Sequence, residues 1–283
     1  MTRQLAVLGA GVMGVGIATL AVGHGLPVVL IDIDEDKLAT APGKVAQQLR
    51  MTQLIGGLPR AAPAGELRTA TSVDAVAQAG AVVEAVTELP ELKAKVLAEV
   101  SAVVRPGTVI LSNTSAIPVD ELASSTSRPG EVVGVHFMNP PYLIRTVEVV
   151  RGPRTEPSVV DAATALLAAL DRDCVVVGDG PGFVINRILQ RVINEAARIV
   201  EEGIATPDQV DALFQGCLGH RTGPLATADL IGLDNVVDSL RVLHERTGDA
   251  GYRPCELLVG KVREGNFGRK TGTGFYEHGK ALT

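Results

Sequence analysis

Residues 5–14 of the chain are Leu-Ala-Val-Leu-Gly-Ala-Gly-Val-Met-Gly, an apolar run followed at once by a GxGxxG string. The run predicts a buried strand, and the residues after the second glycine predict the start of a helix. Here the first glycine permits a tight turn, the second lets the backbone approach a pyrophosphate, and the third allows close helix–strand packing. The stretch therefore predicts a dinucleotide-binding βαβ unit, whose cofactor-binding residues are Gly9, Gly11, Val12, Met13 and Gly14.

A second apolar run, Val28–Ile31, ends at Asp32, eighteen residues after Gly14. A carboxylate at that position can accept both ribose hydroxyls of an adenosine, and it would repel a 2′-phosphate. No Arg directly follows it, because the next residues are Ile33-Asp34-Glu35. These features favour NAD over NADP. The alternative is that the glycines only form a turn and Asp32 caps a loop.

Further strand-like runs alternate with helix-length segments along the first 178 residues, which indicates an α/β fold: a Rossmann-type, doubly wound parallel sheet with helices on both faces. Glu88–Val104 and Asp34–Ile55 are helix candidates, and Pro42-Gly43 is expected to bend or interrupt the second. The predicted strands are Leu5–Gly9, Val28–Asp32, Ala81–Ala85, Thr108–Ser112, Val132–His136, Val147–Val150 and Cys174–Val177.

The strand signal fades after the glycine-rich segment 178–182, which predicts a domain boundary there. We expect an NAD-binding domain over 1–178 and a smaller, all-helical domain for substrate binding and dimerisation over 179–283. Its predicted helices are Val184–Val200, Pro207–Cys217 and Ala228–His244. Their broad apolar faces exceed what one small domain needs to bury, which favours a homodimer.

Composition excludes several classes of protein. The chain has 283 residues, 46% of them hydrophobic, and a net charge of -6, so neither nucleic acid nor an anionic membrane is an expected partner. Three widely spaced cysteines without a CxxC pair suggest neither a disulfide framework nor a metal site. With no signal-peptide pattern at the start and no apolar stretch of membrane-spanning length, a cytoplasmic protein is expected.

Several ordered motifs between Leu5 and Tyr276 resemble the L-3-hydroxyacyl-CoA dehydrogenase family, which includes the 3-hydroxybutyryl-CoA dehydrogenases. The resemblance implies a hydride transfer between NAD and C3 of a short 3-hydroxyacyl or 3-oxoacyl thioester. The motifs that carry it are Ser112-Asn113-Thr114-Ser115, His136-Phe137-Met138-Asn139-Pro140, Thr146-Val147-Glu148-Val149, Pro181-Gly182-Phe183-Val184-Ile185-Asn186-Arg187, Gly223-Pro224, Gly232-Leu233-Asp234 and Gly268–Tyr276.

Oxidation of a secondary alcohol needs a base, and His is the side chain whose ordinary pKa lies nearest working pH. His136 ends a predicted strand, where ligands of doubly wound sheets bind, and Glu148 in the next strand could accept the other imidazole N–H. The resemblance implies the same His–Glu pair, and it implies that Ser115 and Asn186 bind the substrate oxygen and the histidine. Alternatively, His136 is a core residue and Glu148 pairs with Arg145 or Arg151, while Ser115 caps a helix and Asn186 lies on a polar helix face.

The same resemblance implies further cofactor contacts from Glu88, Lys93, Asn113, Asn139 and Lys270. For Lys93 a solvated helix face is the alternative, and for Lys270 a turn.

The chain departs from the family at two places. The helix 44–55 carries only Lys44 and Arg50 as basic residues, and two cations would bind the phosphates of coenzyme A weakly. The acyl group could instead arrive on an acyl carrier protein, as in relatives associated with polyketide precursor synthesis. Arg221 stands near the implied substrate pocket and could recognise an acidic acyl group or form a surface ion pair. A dehydrogenase of a free hydroxy acid and a non-catalytic NAD sensor are the remaining alternatives.

Overall fold

The computed structural model describes residues 4–59 and 63–279. The chain divides into two compact units, Met1–Gly180 and Pro181–Thr283. The point of division lies in the glycine-rich segment 178–182.

An eight-stranded sheet forms the centre of the first unit, in the order β3-β2-β1-β4-β5-β6-β7-β8. Strands β1 to β6 are parallel to one another, and the order reverses between β1 and β4. Ligands of such sheets bind at the carboxyl ends of the strands beside the reversal. The strands are β1 (Leu5–Leu8), β2 (Val28–Ile31), β3 (Leu67–Ala70), β4 (Ala81–Glu84), β5 (Val109–Ser112), β6 (Val132–His136), β7 (Thr146–Arg151) and β8 (Asp173–Gly178).

Two features of the sheet differ from the sequence prediction. Strand β7 runs antiparallel to β6, because the connection 137–145 is shorter than the dozen or more residues that a parallel crossover needs. Strand β3 lies at the sheet edge, and its Leu-Arg-Thr-Ala sequence lacks the apolar run that indicates the other strands. The predicted Rossmann-type sheet is otherwise confirmed.

The flanking helices of the first unit are α1 (Val12–Gly23), α2 (Glu35–Leu54), α3 (Pro90–Val103), α4 (Val119–Ala123) and α5 (Pro157–Ala169). Helix α2 continues through Pro42, so the predicted interruption does not occur. A proline inside a helix costs about 3 kcal/mol. Burial of Leu38, Ala41 and Val45 on one face of α2 offsets this cost, since packing of an apolar face contributes most of the stability of a helix.

The second unit is all-helical, as predicted, and consists of α6 (Ile185–Glu201), α7 (Pro207–Leu218), α8 (Pro224–Ile231), α9 (Leu233–Thr247) and α10 (Glu256–Arg263). The single helix predicted over Ala228–His244 is wrong, because Gly232 separates α8 from α9. Its φ of +99° is outside the helical region and is readily adopted only by glycine. Within the described residues, no helix is long and apolar enough to span a bilayer.

Candidate active site

The loop between β1 and α1 has the close backbone packing that a pyrophosphate site requires. Gly9 has a φ of +98°, and a Cβ there would lie 2.5 Å from the carbonyl oxygen of Ala85. A Cβ on Gly14 would overlap the carbonyl oxygen of Gly9. Gly11 is the N-cap of α1 and faces open space, since no described atom lies within 4 Å of its added Cβ. The first turn of α1 therefore offers backbone N–H groups to an anion.

Asp32 lies just beyond β2, beside this loop. Its Oδ2 accepts a hydrogen bond from Ala10 N at 2.7 Å, and its Oδ1 accepts one from Asp34 N at 3.0 Å. The next side chain, Ile33, is 91% exposed and offers no cation to a 2′-phosphate. The glycine loop and this carboxylate together fit NAD, with Val12 exposed at the start of α1 and Met13 packed against the core.

His136 and Glu148 face each other across the β6–β7 ladder. They are register partners, and His136 Nδ1 lies 3.0 Å from Glu148 Oε2. Both residues are only 8% exposed, so solvent screens the contact weakly. The alternative pairing of Glu148 with Arg145 is not found, because Arg145 binds Asp171 and Asp173.

Ser115 lies in the loop beyond β5, where Glu88 binds several of its neighbours. Glu88 Oε1 accepts hydrogen bonds from Thr114 Oγ1 at 2.6 Å and from Ser115 N at 2.7 Å. Burial acts to raise the pKa of Glu88, but the Lys93 ammonium and these hydrogen bonds outweigh it and hold the pKa below its ordinary value. The helix-capping role considered for Ser115 does not apply, because α4 begins at Val119 with Pro118 as its N-cap, and the Thr114 hydroxyl accepts from Ile117 N within the loop.

Lys93 is 1% exposed, which excludes a solvated helix face. Its ammonium binds Glu84 Oε1 at 2.7 Å and Glu88 Oε2 at 3.2 Å. The sequence did not single out Glu84. Its only signal was a carboxylate that ends the otherwise apolar run 81–85.

Two predicted cofactor residues, Asn113 and Asn139, lie in the loops after β5 and β6. Asn113 Oδ1 accepts a hydrogen bond from Phe137 N at 3.1 Å, which ties the Ser115 loop to the residue after His136. Asn139 is exposed and precedes a cis peptide bond to Pro140. Their contacts with a cofactor stay a prediction.

The remaining predicted residues belong to the second unit. Asn186 lies on the buried face of α6, not on a polar one, and its Oδ1 accepts a hydrogen bond from Gln190 Nε2 at 3.0 Å. Gln190, a residue that sequence reasoning missed, thereby helps to orient the Asn186 amide. Lys270 pairs with Asp234 at 2.5 Å, and Arg221 is exposed.

Across residues 4–59 and 63–279, no cluster of three or more His, Cys, Asp or Glu side chains could hold a metal ion.

Family models cover nearly the whole chain. Residues 4–180 match the NAD-binding domain of 3-hydroxyacyl-CoA dehydrogenase, and residues 182–278 match the C-terminal domain. The chain belongs to the 3-hydroxyacyl-CoA dehydrogenase family. Its activity is therefore that of an NAD-dependent oxidoreductase that transfers a hydride between NAD and a 3-hydroxyacyl-CoA.

Individual members of the 3-hydroxyacyl-CoA dehydrogenase family are similar over their full length. The chain is 38% identical over 280 residues to the 3-hydroxybutyryl-CoA dehydrogenase of Bradyrhizobium diazoefficiens, which is 98% of this chain and 95% of that protein. It superposes on the crystal structure of (S)-3-hydroxybutyryl-CoA dehydrogenase PaaH1 from Ralstonia eutropha with a TM-score of 0.91 and 37% identity, covering 99% of this chain and 100% of that one. For FadB2 of Mycobacterium tuberculosis, the TM-score is 0.92 at 31% identity, over 99% of each chain.

Proposed function

We propose that this dehydrogenase acts on a short 3-hydroxyacyl or 3-oxoacyl thioester of coenzyme A, with His136 and Glu148 as its general-base pair. The observation that carries the proposal is the 3.0 Å contact between His136 Nδ1 and Glu148 Oε2. When Nδ1–H donates to the carboxylate, the tautomer is fixed and Nε2 is the nitrogen that takes the proton of the substrate hydroxyl. Glu148 also stabilises the imidazolium that forms.

The other predicted residues have supporting roles in this mechanism. Ser115 and Asn186 bind the reacting oxygen and offset the negative charge that develops on it. Gly9, Gly11, Gly14 and Asp32 hold the cofactor, together with Val12, Met13, Glu88, Asn113, Asn139 and Lys270. Bound NAD supplies the nicotinamide that accepts or returns the hydride.

Residues 1–178 thus form the cofactor and base-pair domain, and 179–283 the domain that contributes Asn186 and dimerises. Several large apolar side chains of the second unit are exposed, which supports a homodimer. They include Ile188, Ile204, Leu213, Leu218 and Leu230. Light scattering on the purified protein tests the dimer. The free thiols Cys174, Cys217 and Cys255 agree with a reducing, cytoplasmic location, which fractionation of cells would test.

The names of the relatives support coenzyme A and a four-carbon acyl group. The specific observation that favours an acyl carrier protein is the surface of α2, where a cavity of about 280 Å³ is lined by Lys44, Gln47, Gln48 and Met51, with a single basic side chain. A free 3′-phosphate and pyrophosphate would find little charge to bind there.

The test compares NADH oxidation at 340 nm with acetoacetyl thioesters of coenzyme A, of N-acetylcysteamine and of a loaded carrier protein. The proposal expects the highest kcat/KM with coenzyme A. A higher kcat/KM with the loaded carrier protein would mean that the substrate is a carrier-bound thioester and not a coenzyme A thioester. Activity only on a free hydroxy acid, with loss on Arg221→Ala, would contradict the thioester proposal.

A further inference from the structure

Four polar side chains are fully buried where β4 and β5 end. Glu84, Lys93, Ser112 and Thr114 are each at most 1% exposed. Charged residues are almost never buried to this extent unless they are paired. The site lies beside the reversal of strand order, where the sheet receives its ligand. The mechanism above gives Glu84 no role.

The ammonium of Lys93 contacts three oxygen atoms inside the protein. It lies 2.7 Å from Glu84 Oε1, 3.2 Å from the carbonyl oxygen of Val86 and 3.2 Å from Glu88 Oε2. The contacts with Glu84 and Val86 are hydrogen bonds, and the contact with Glu88 is an ion pair. Lys93 is therefore tied to the carboxylates of both Glu84 and Glu88.

The contacts of the two carboxylates close a ring around the end of β5. Glu84 is the register partner of Ser112, whose hydroxyl donates to Glu84 Oε2 at 2.6 Å. Glu88 Oε1 accepts from Thr114 Oγ1 and Ser115 N at 2.6 and 2.7 Å, and from the Ser115 hydroxyl at 3.3 Å. Because Lys93 joins the two carboxylates, the backbone from Ser112 to Ser115 is held at both ends by one ammonium.

We propose that Glu84 and Lys93 are positioning residues: through Glu88 they hold the loop after β5 so that Ser115 presents its hydroxyl to the substrate oxygen. This inference rests on the role proposed for Ser115. Stability alone does not account for the cluster, since replacing a buried ion pair by apolar side chains is often neutral or stabilising. The need for precise geometry does account for the cluster, because a displacement of about 1 Å at a reacting group can lower the rate about 100-fold.

The experiment compares Lys93→Met, Glu84→Gln and Ser115→Ala, alone and combined, with Lys95→Met as the matched control on the exposed face of α3. The readouts are kcat and KM with acetoacetyl-CoA, the Kd of NADH from its fluorescence, and Tm. We expect Lys93→Met and Glu84→Gln to lower kcat about 10- to 100-fold, and we expect Glu84→Gln to change the Kd of NADH less than about 2-fold. Lys95→Met should match the wild type.

The double variants with Ser115→Ala distinguish a positioning role from a merely structural one. If Glu84 acts through Ser115, Glu84→Gln should lower kcat no further in the Ser115→Ala background. Full additivity would overturn the proposal, as would variants with lower Tm but wild-type kcat. So would a raised Kd of NADH in Lys93→Met with kcat unchanged, because Lys93 would then bind the cofactor directly.

A milder variant covers the case in which the charge variants fail to fold. Ser112→Ala removes one donor to Glu84 and should lower kcat about 3- to 10-fold, the equivalent of one hydrogen bond, with no effect in the Ser115→Ala background. A wild-type kcat for Ser112→Ala would overturn the proposal. An inactive wild type would instead contradict the proposed function, so the two failures are distinguishable.

Discussion

Replacing Glu148 by Gln should slow catalysis strongly while leaving the shape of the site unchanged. The amide has the same size as the carboxylate but no charge, and its NH₂ group can face His136 Nδ1 and favour the wrong tautomer. At the 3.0 Å separation in the structure, a full charge pair at an effective dielectric constant of 20 is worth about 5 kcal/mol before desolvation is subtracted.

The net loss is smaller than this Coulomb value, because burial of both groups has already cost free energy. A hydrogen bond to a charged group contributes about 1.5–3 kcal/mol net. If 2–3 kcal/mol of that is realised only when His136 is protonated, kcat should fall about 30- to 150-fold.

The assay is NADH oxidation with acetoacetyl-CoA, with kcat and KM determined separately. KM for NADH should change little, because Asp32 and the glycine loop are untouched. Glu99→Gln, the same substitution at an exposed position of α3, is the matched control. A Glu148→Gln enzyme that keeps at least half of the wild-type kcat would refute the base-pair mechanism.

Three further outcomes are expected. NADPH should be about 30- to 150-fold less efficient than NADH, since the Asp32 carboxylate opposes a 2′-phosphate, and equal efficiency would contradict this role. Gln190→Leu should lower kcat about 3- to 10-fold, because it removes one hydrogen bond to the Asn186 amide. Its Tm should not fall, because the variant also removes Gln190 Oε1, which is buried and without a hydrogen-bond partner among the described residues. Because the pKa of Glu88 is lowered in the folded protein, its carboxylate contributes its full stabilisation above the ordinary pKa of 4.5, and this stabilisation is lost as the pH falls through the lower pKa of the folded state. When Tm is measured at decreasing pH from pH 6, it should therefore fall less steeply in Glu88→Gln than in the wild type.

The parts of the fold that follow from local pattern could be predicted from the sequence. Apolar runs that end in glycine or a polar residue gave the central strands, and the GxGxxG spacing placed the turn before α1. The orientation of β7 could not be predicted in this way, since a strand has the same pattern in either direction. The short connection 137–145 was the available signal.

Contacts between distant side chains were harder to predict. Lys93 shares the buried face of α3 with Leu97 and Val100, but only the packing of α3 against the end of β4 brings Glu84 to it. Gln190 likewise acquires its role from its place one turn after Asn186 on a buried face. Propensity and periodicity describe one segment at a time, whereas the contact of Lys93 with Glu84 depends on two segments, and the contact of Gln190 with Asn186 matters because that face of α6 is buried.

The two halves of the site in the first unit are held by different means, and the difference explains where the buried charges lie. His136 and Glu148 belong to paired strands, so the ladder itself fixes their separation. Ser115 lies three residues beyond the last register pair of β4 and β5, Glu84 with Ser112, where backbone pairing has ended. A loop at that point needs side chains to hold it, and the Glu84, Lys93 and Glu88 contacts continue the restraint from the ladder into the loop. Loss of Glu84 should therefore disturb Ser115 and leave the imidazole in place.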